Sequence, residues 1–146
     1  EAIGSIANDL IARLLPSTWQ APEVSTAAGP ANAMVKDAIR ITFLHAAENA
    51  QLYRIILRGE GAVKVRQRLQ AIISQKASEL VADSVQAGLA HPRLPAGVFA
   101  DYFAGSLLAT LTWWLESDLP YSPEEMAEMF RMLIFQGGLK ALGMEE

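Results

Sequence analysis

Apolar residues recur along this chain at three- and four-residue intervals, the spacing of one helical face. Ile3 to Leu15 is the first such segment, with Ile3, Ile6, Ala7, Leu10 and Leu14 on its stripe and Pro16 stopping it. Residues 16–30, PSTWQAPEVSTAAGP, form a long connection in which Trp19 either caps the core or a pocket mouth, or simply tucks the loop down. Ala31–Glu48 predicts a helix apolar on most sides: Val35, Ile39, Phe43 and Ala46 share one arc, Ala38, Thr42 and His45 lie beside it, and Ile41 and Leu44 fall elsewhere. Such a helix belongs in the middle of a bundle. Asn49–Arg58 is a short helix carrying Leu52, Tyr53, Ile56 and Leu57, broken by Gly59-Glu60-Gly61. Ala62 to about Ala87 is a long amphipathic helix with Val65, Leu69, Ile72, Ile73 and Leu80 on its stripe. Its start, VKVRQRL, alternates like a strand, but the helical pattern that follows overrules it. Gly88 ends this helix, and AHPRLPAG is a turn segment.

The run from Phe99 to Gly143 organises the rest. It predicts two helices joined by a tight turn at Asp118-Leu119-Pro120-Tyr121, the first ending at Glu116-Ser117. The second opens on Ser122-Pro123-Glu124-Glu125, a capping box with Pro at the first helical position, and Gly143 suits a left-handed cap at its end. At 100° per residue, each helix has two apolar faces. Phe99, Phe103, Leu107, Leu111 and Trp114 form the inner arc of the first; Met126, Phe130, Leu133, Ile134, Gly137 and Ala141 form that of the second. Tyr102, Gly105, Ala109, Thr112 and Trp113 lie on the outer side of the first, where Gly105 and Ala109 would admit a close backbone. Met129, Met132, Phe135, Gln136 and Leu139 lie on the outer side of the second, beside Glu125 and Glu128. A large apolar patch left wet marks an interface, so these ten positions predict a two-fold homodimer with two helices from each chain in a four-helix seam. The competing reading is that other helices of the same chain cover both faces. The fold class is therefore all-α, a bundle of about six helices with no internal repeat and no coiled-coil run.

Composition narrows the function. At 146 residues the chain is one domain by length, 51% apolar and 19% charged. A net charge of −4 argues against this segment itself gripping a phosphate backbone. The absence of cysteine removes disulfides, thiol catalysis and Cys-type zinc sites. No uninterrupted apolar run is long enough to cross a membrane, and EAIGSIANDL lacks the pattern of a signal peptide. The chain starts with Glu, which reads as a fragment or a processed product.

Candidate chemistry is sparse. His45 and Glu48 sit one helical turn apart and could share a cation, but His91 lies in a loop and no HExxH pattern exists; a half-buried, hydrogen-bonded His45 is the better reading. Ser106 lies inside a helix with no base nominated for it. Asp101 and Glu116 fall on the outer side of their helix, and no carboxylate pair is isolated in an apolar setting. Gly59-Glu60-Gly61 places Glu where an anion would sit, and Lys64, Arg66 and Arg68 read as a solvated, ion-paired surface. No enzyme, cofactor or metal site is nominated. What remains is a pocket for a small, largely hydrophobic molecule: Phe43, Tyr53, Phe99, Phe103 and Trp114 with the hydroxyls of Thr42, Ser106 and Thr110, walled by Ile39, Leu69 and Ile73. The same residues could equally fill a core and bond to the backbone.

FAGSLLATLTWWLESDLPYSPEEMAEMFRMLIFQGG resembles the last two helices of TetR-family transcriptional regulators, with their aromatic-rich WWLE-type segment, short Pro-containing turn and SPEE opening. HAAENAQLYRIILRGEGAVKVRQRL resembles that family's middle helices. The likeness covers most of the chain from about Met34. It implies the C-terminal effector-binding and dimerisation domain of a cytoplasmic, ligand-responsive regulator, most often a repressor. Operator DNA would be bound only through an N-terminal helix-turn-helix that this chain lacks, with Ile3–Leu15 as connector. The family motif designates no ligand residues. The alternative is a helical protein–protein interaction module with no ligand.

Overall fold

A computed structural model of the chain describes residues 29–58, 62–138 and Gly143. The expected helix Ile3–Leu15, Trp19, and the outer- and inner-face positions Leu139 and Ala141 lie outside the described residues. Among the described residues there are five α-helices and no strand: α1 Gly29–Glu48, α2 Ala50–Arg58, α3 Ala62–Gln86, α4 Ala96–Glu116 and α5 Pro123–Leu133, the last running into a π-helical turn, Ile134–Gly138. The class is all-α, as the periodicity predicts. The α4 helix starts three residues before Phe99, directly after Pro95, whose extended backbone serves as its N-cap.

Local chemistry sets the helix ends. Gly88, at φ 75°, ends α3: its N–H donates to Val85 O, and that of Leu89 donates to Ser84 O at 2.8 Å. These are the two bonds of a Schellman cap. The same cap closes α4 without glycine. Asp118 N–H donates to Leu115 O and Leu119 N–H to Trp114 O at 2.9 Å, with Asp118 at φ 62° and Leu119 at φ 53°. Left-handed backbone is tolerable for Asp and costly for Leu. Leu119 is held there because its side chain packs on the core and the Trp114 indole N–H donates to Tyr121 O at 2.9 Å. The capping box at α5 forms in both directions: Glu125 N–H donates to Ser122 Oγ, and Ser122 N–H to Glu125 Oε1.

The α3 helix packs along α4, α1 packs along α5, and α2 braces α3 and α4. Small buried side chains, Ala77 on α3 and Ala100 and Ala104 on α4, let the first pair run close. The centre is aromatic. Phe43 and Trp114 are 0% exposed and meet edge to face with ring centroids 5.5 Å apart; Phe130 lies 6.2 Å from Phe43 and 5.8 Å from Phe103. Burying each such side chain contributes roughly 1.5–3 kcal/mol.

Three expectations for α5 and the turn after it are corrected. Phe135, expected on the outer side, is 4% exposed, and Leu133, expected inside, is 64% exposed. Leu133 lies in the regular part of α5, at the edge of its buried side; the burial of Phe135 follows from the π-helical turn. Its i→i+5 bonding advances each residue by less than 100°, so the buried side passes from Met126, Ala127 and Phe130 to Ile134 and Phe135 together. The Phe135 ring then meets two cations, with Lys36 Nζ 5.6 Å and Arg131 Cζ 5.5 Å from its centroid. Gly137 is exposed as well.

Candidate functional site

Three places could carry function: the outer side of α4 and α5, the aromatic centre, and a cleft at one end of the bundle. On α4, Val98, Tyr102, Ala109 and Trp113 make one exposed stripe, with Tyr102 and Trp113 each 51% exposed. Tyr121, from the following turn, stacks on Trp113 with centroids 6.3 Å apart. On α5, Met129, Met132, Leu133 and Gln136 are exposed. The expected outer positions therefore divide. Tyr102, Ala109, Trp113, Met129, Met132 and Gln136 face out. Gly105 does not: a Cβ there would stand 3.6 Å from the Gln70 side-chain amide, so it faces α3 of its own chain. Thr112 is half-buried, donates to Leu108 O at 2.8 Å and lines the cleft. Asp101 and Glu116 also turn to their own chain, Asp101 accepting from Ser74 on α3 and Glu116 pairing with Arg58 on α2 at 2.9 Å.

The residues expected to bind a ligand gather in one place. Ile39, Phe43, Phe99, Phe103 and Trp114 are buried in a single cluster with Tyr53 and Ile73, and Leu69 packs against it half-buried. The three hydroxyls bond within their own helices: Thr42 to Ala38 O and Thr110 to Ser106 O, each at 2.7 Å, and Ser106 to Phe103 O at 3.0 Å. Such back-bonding satisfies a hydroxyl in an apolar setting.

His45 is half-buried at the end of α1. Its Nδ1 lies 3.2 Å from the Tyr53 hydroxyl, and Asn49 Nδ2 donates to its carbonyl at 3.0 Å. Burial pushes the Tyr53 phenol well above its ordinary range, so it stays protonated. Burial also lowers the His45 pKa from 6.5, against the opposing pull of Glu48. Neutral His45 as acceptor at Nδ1 carries its proton on Nε2. This is the hydrogen-bonded histidine that the sequence favours. Among the described residues, no group of three His, Cys, Asp or Glu side chains could hold a metal.

Arginines secure the end of α4. Arg54 donates to Leu115 O at 3.3–3.4 Å and lies 3.8 Å from Asp118, placing positive charge at the helix's negative end. Beyond it opens a cleft of about 420 Å³, lined by Leu57 and Arg58 of α2, Ala62, Val63 and Arg66 of α3, and Thr112 and Glu116 of α4. The sequence sets Thr112 and Glu116 on the outer side of their helix and Arg66 on a solvated surface, and brings none of them together. The available signal was a helix start carrying Lys64 and Arg66 with no acid in its first turn. The expected ion pairing of Lys64, Arg66 and Arg68 is not found among the described residues.

Compared with known families, residues 35–136 match the model of a transcriptional regulator C-terminal region of the TetR type. No curated protein and no solved structure matches the chain. Among the described residues, no helix is long and apolar enough to cross a membrane. The match spans α1 through the π-helical turn, so the aromatic centre, the outer stripe and the cleft all lie inside it. The chain thus belongs to the TetR family of transcriptional regulators, as a C-terminal region.

Proposed function

We propose that this chain is the dimerisation and effector-binding part of a ligand-responsive, cytoplasmic, non-enzymatic repressor, pairing two-fold through α4 and α5. The observation that carries it is the outer stripe: Val98, Tyr102 and Trp113 on α4 and Met129, Met132 and Leu133 on α5 are all large, apolar and exposed. An aromatic and Met-rich patch of this kind suits the desolvated centre of an interface. Gln136 and Glu125 are exposed beside it and suit a polar rim. Operator DNA would be contacted by an N-terminal unit in the intact regulator. A small hydrophobic effector would change DNA affinity only by its differential affinity for two arrangements of the bundle.

The aromatic centre supports two readings. Aromatic walls with a few hydroxyls are what effector pockets use. Complete burial of Phe43 and Trp114, with the hydroxyls of Thr42, Ser106 and Thr110 bonded to their own helices, favours the alternative of an interaction module with a filled core. Sedimentation equilibrium of the chain and of Trp113→Glu tests the dimer. The reading requires a dimer that the variant dissociates while remaining helical, and a wild-type monomer at high micromolar concentration sinks it. A screen of hydrophobic molecules read by resonance shifts at Phe43, Phe103 and Trp114 separates the effector domain from the interaction module.

A further inference from the structure

We infer that Arg54 on α2 is a positioning residue for the outer face of α4 and α5. Its guanidinium holds the end of α4, keeps the Asp118-Leu119 backbone left-handed, and so seats the Tyr121 ring on Trp113. This role rests on the dimer reading above and extends it to a residue that is not on the outer stripe, 61 positions before the carbonyl it holds.

The two halves of the stripe need such a device. The α5 helix packs along α1 rather than along α4, so the short turn between α4 and α5 has a large share in setting one half against the other. That turn is not relaxed. Asp118 at φ 62° and Leu119 at φ 53° are the non-glycine residues with positive φ among the described ones. Such backbone is disfavoured for L side chains and persists only where its surroundings over-determine it. From inside, the Leu119 side chain packs on the core and the Trp114 indole N–H donates to Tyr121 O at 2.9 Å. The Tyr121 ring then stacks on Trp113, with 6.3 Å between centroids and 23° between planes. Ser122, the N-cap of α5, follows directly. A change of backbone at Asp118-Leu119 therefore moves the Tyr121 ring and the first turn of α5 together.

Arg54 supplies the constraint from outside the turn. Its Nε and Nη2 both donate to Leu115 O, at 3.4 and 3.3 Å, and the same oxygen accepts the Asp118 N–H at 3.3 Å. One carbonyl thus joins α2, the end of α4 and the first left-handed residue. A guanidinium at the negative end of a helix strengthens its hold on the last carbonyls. The ion pair with Asp118, at 3.8 Å, adds little, because the Asp118 side chain is 97% exposed. One turn further along α2, Arg58 pairs with Glu116 at 2.9 Å, so α2 grips the last turn of α4 at two points. The bonds from Arg54 are long for a charged donor, so they bias the turn and do not lock it, and their loss should have a graded effect.

The test compares the chain with three variants: Arg54→Met, which keeps an apolar stem and removes the donors, Arg54→Lys, and Arg54→Met combined with Asp118→Gly. Sedimentation equilibrium reads self-association, and the ring-current shift of the Tyr121 ring protons reads the stack on Trp113, with circular dichroism showing each variant helical. Arg54→Met should move the Tyr121 resonances and weaken self-association about tenfold, the order of one hydrogen bond from a charged donor. Arg54→Lys should recover part of both effects. The double variant should recover most of both, since glycine takes left-handed backbone unaided and only a 97% exposed side chain is lost. Ile56→Val, a buried position on the same helix, serves as the comparison for a plain loss of stability and should change neither reading. Three results would overturn the role of Arg54 while leaving the dimer in place: Arg54→Met associating as the wild type does; weaker association with Tyr121 unmoved or with no recovery in the double variant; or Ile56→Val acting like Arg54→Met. A wild-type chain that is monomeric at high micromolar concentration removes the dimer reading, and this role with it, whatever Tyr121 does.

Discussion

Trp113 and Trp114 are chemically identical neighbours on α4, 100° apart around the helix, with opposite surroundings. Trp114 is 0% exposed, packed on Phe43 and hydrogen-bonded through its indole to the next turn. Trp113 is 51% exposed and touches Tyr121 at the surface. One supports the fold; the other, in the proposed dimer, would offer its area to a second chain. Along the same helix, Phe99, Phe103, Leu107 and Leu111 follow Trp114, whereas Val98, Tyr102 and Ala109 follow Trp113. A helix with two apolar faces would thus serve two purposes under the proposed dimer, and mutations should separate them.

The widest separation comes from Trp114→Ala, which should lower unfolding free energy by about 3–5 kcal/mol through a large cavity. Denaturant melts of Trp114→Ala and Trp113→Ala, compared below the dimer dissociation range, would break the comparison if both cost the same. Phe135→Ala should cost about 3 kcal/mol in the same monomer experiment, because the π-helical turn has moved this ring into the core. A purely associative defect in that variant would restore Phe135 to the outer face. Trp113→Glu should leave the monomer melt unchanged and weaken self-association by about 2 kcal/mol, roughly 30-fold in Kd. Ser122→Ala, which removes one half of the capping box, should cost about 1 kcal/mol of stability without changing association.

The smallest effect is a pH dependence at His45. Burial lowers its folded pKa from the ordinary 6.5, so on acidification the unfolded chain takes up the proton first. The contribution to stability is complete above pH 6.5 and is lost as pH falls from there through the lower folded value. Melts of the wild type and His45→Gln between neutral and mildly acidic pH should show a shallower slope for the variant. Equal slopes would mean that burial does not hold the ring neutral.

Helix positions and ends were largely legible, because they rest on local chemistry. Gly88 and Ser122-Pro123 appear in the structure as the caps that their residue types suggest, and Asp118-Leu119 as the expected turn, though its left-handed Leu119 was not announced by residue type. The inner arc of α4 was legible for the same reason: a regular helix advances by a constant angle. The end of α5 was not, since nothing in LIFQGG announces a widened turn. The placing of Gly105 and Thr112 was not either. Their outward position on a wheel is correct for α4 alone, but α3 and the cleft occupy that sector. The cleft joins Leu57 to Glu116, residues far apart in sequence, and depends on how three helix ends meet.

By itself, the sequence determined the all-α class, most helix ends among the described residues, the caps at Gly88 and Ser122, and the two-faced character of α4, all of which follow from periodicity and from side chains acting within one turn. Tertiary structure alone decided which outer sector stays uncovered, that Phe135 turns inward, and that Arg58, Arg66 and Glu116 share a cleft. Those outcomes depend on the relative placement of whole helices, which many weak, non-local contacts set together and no single stretch of chain encodes.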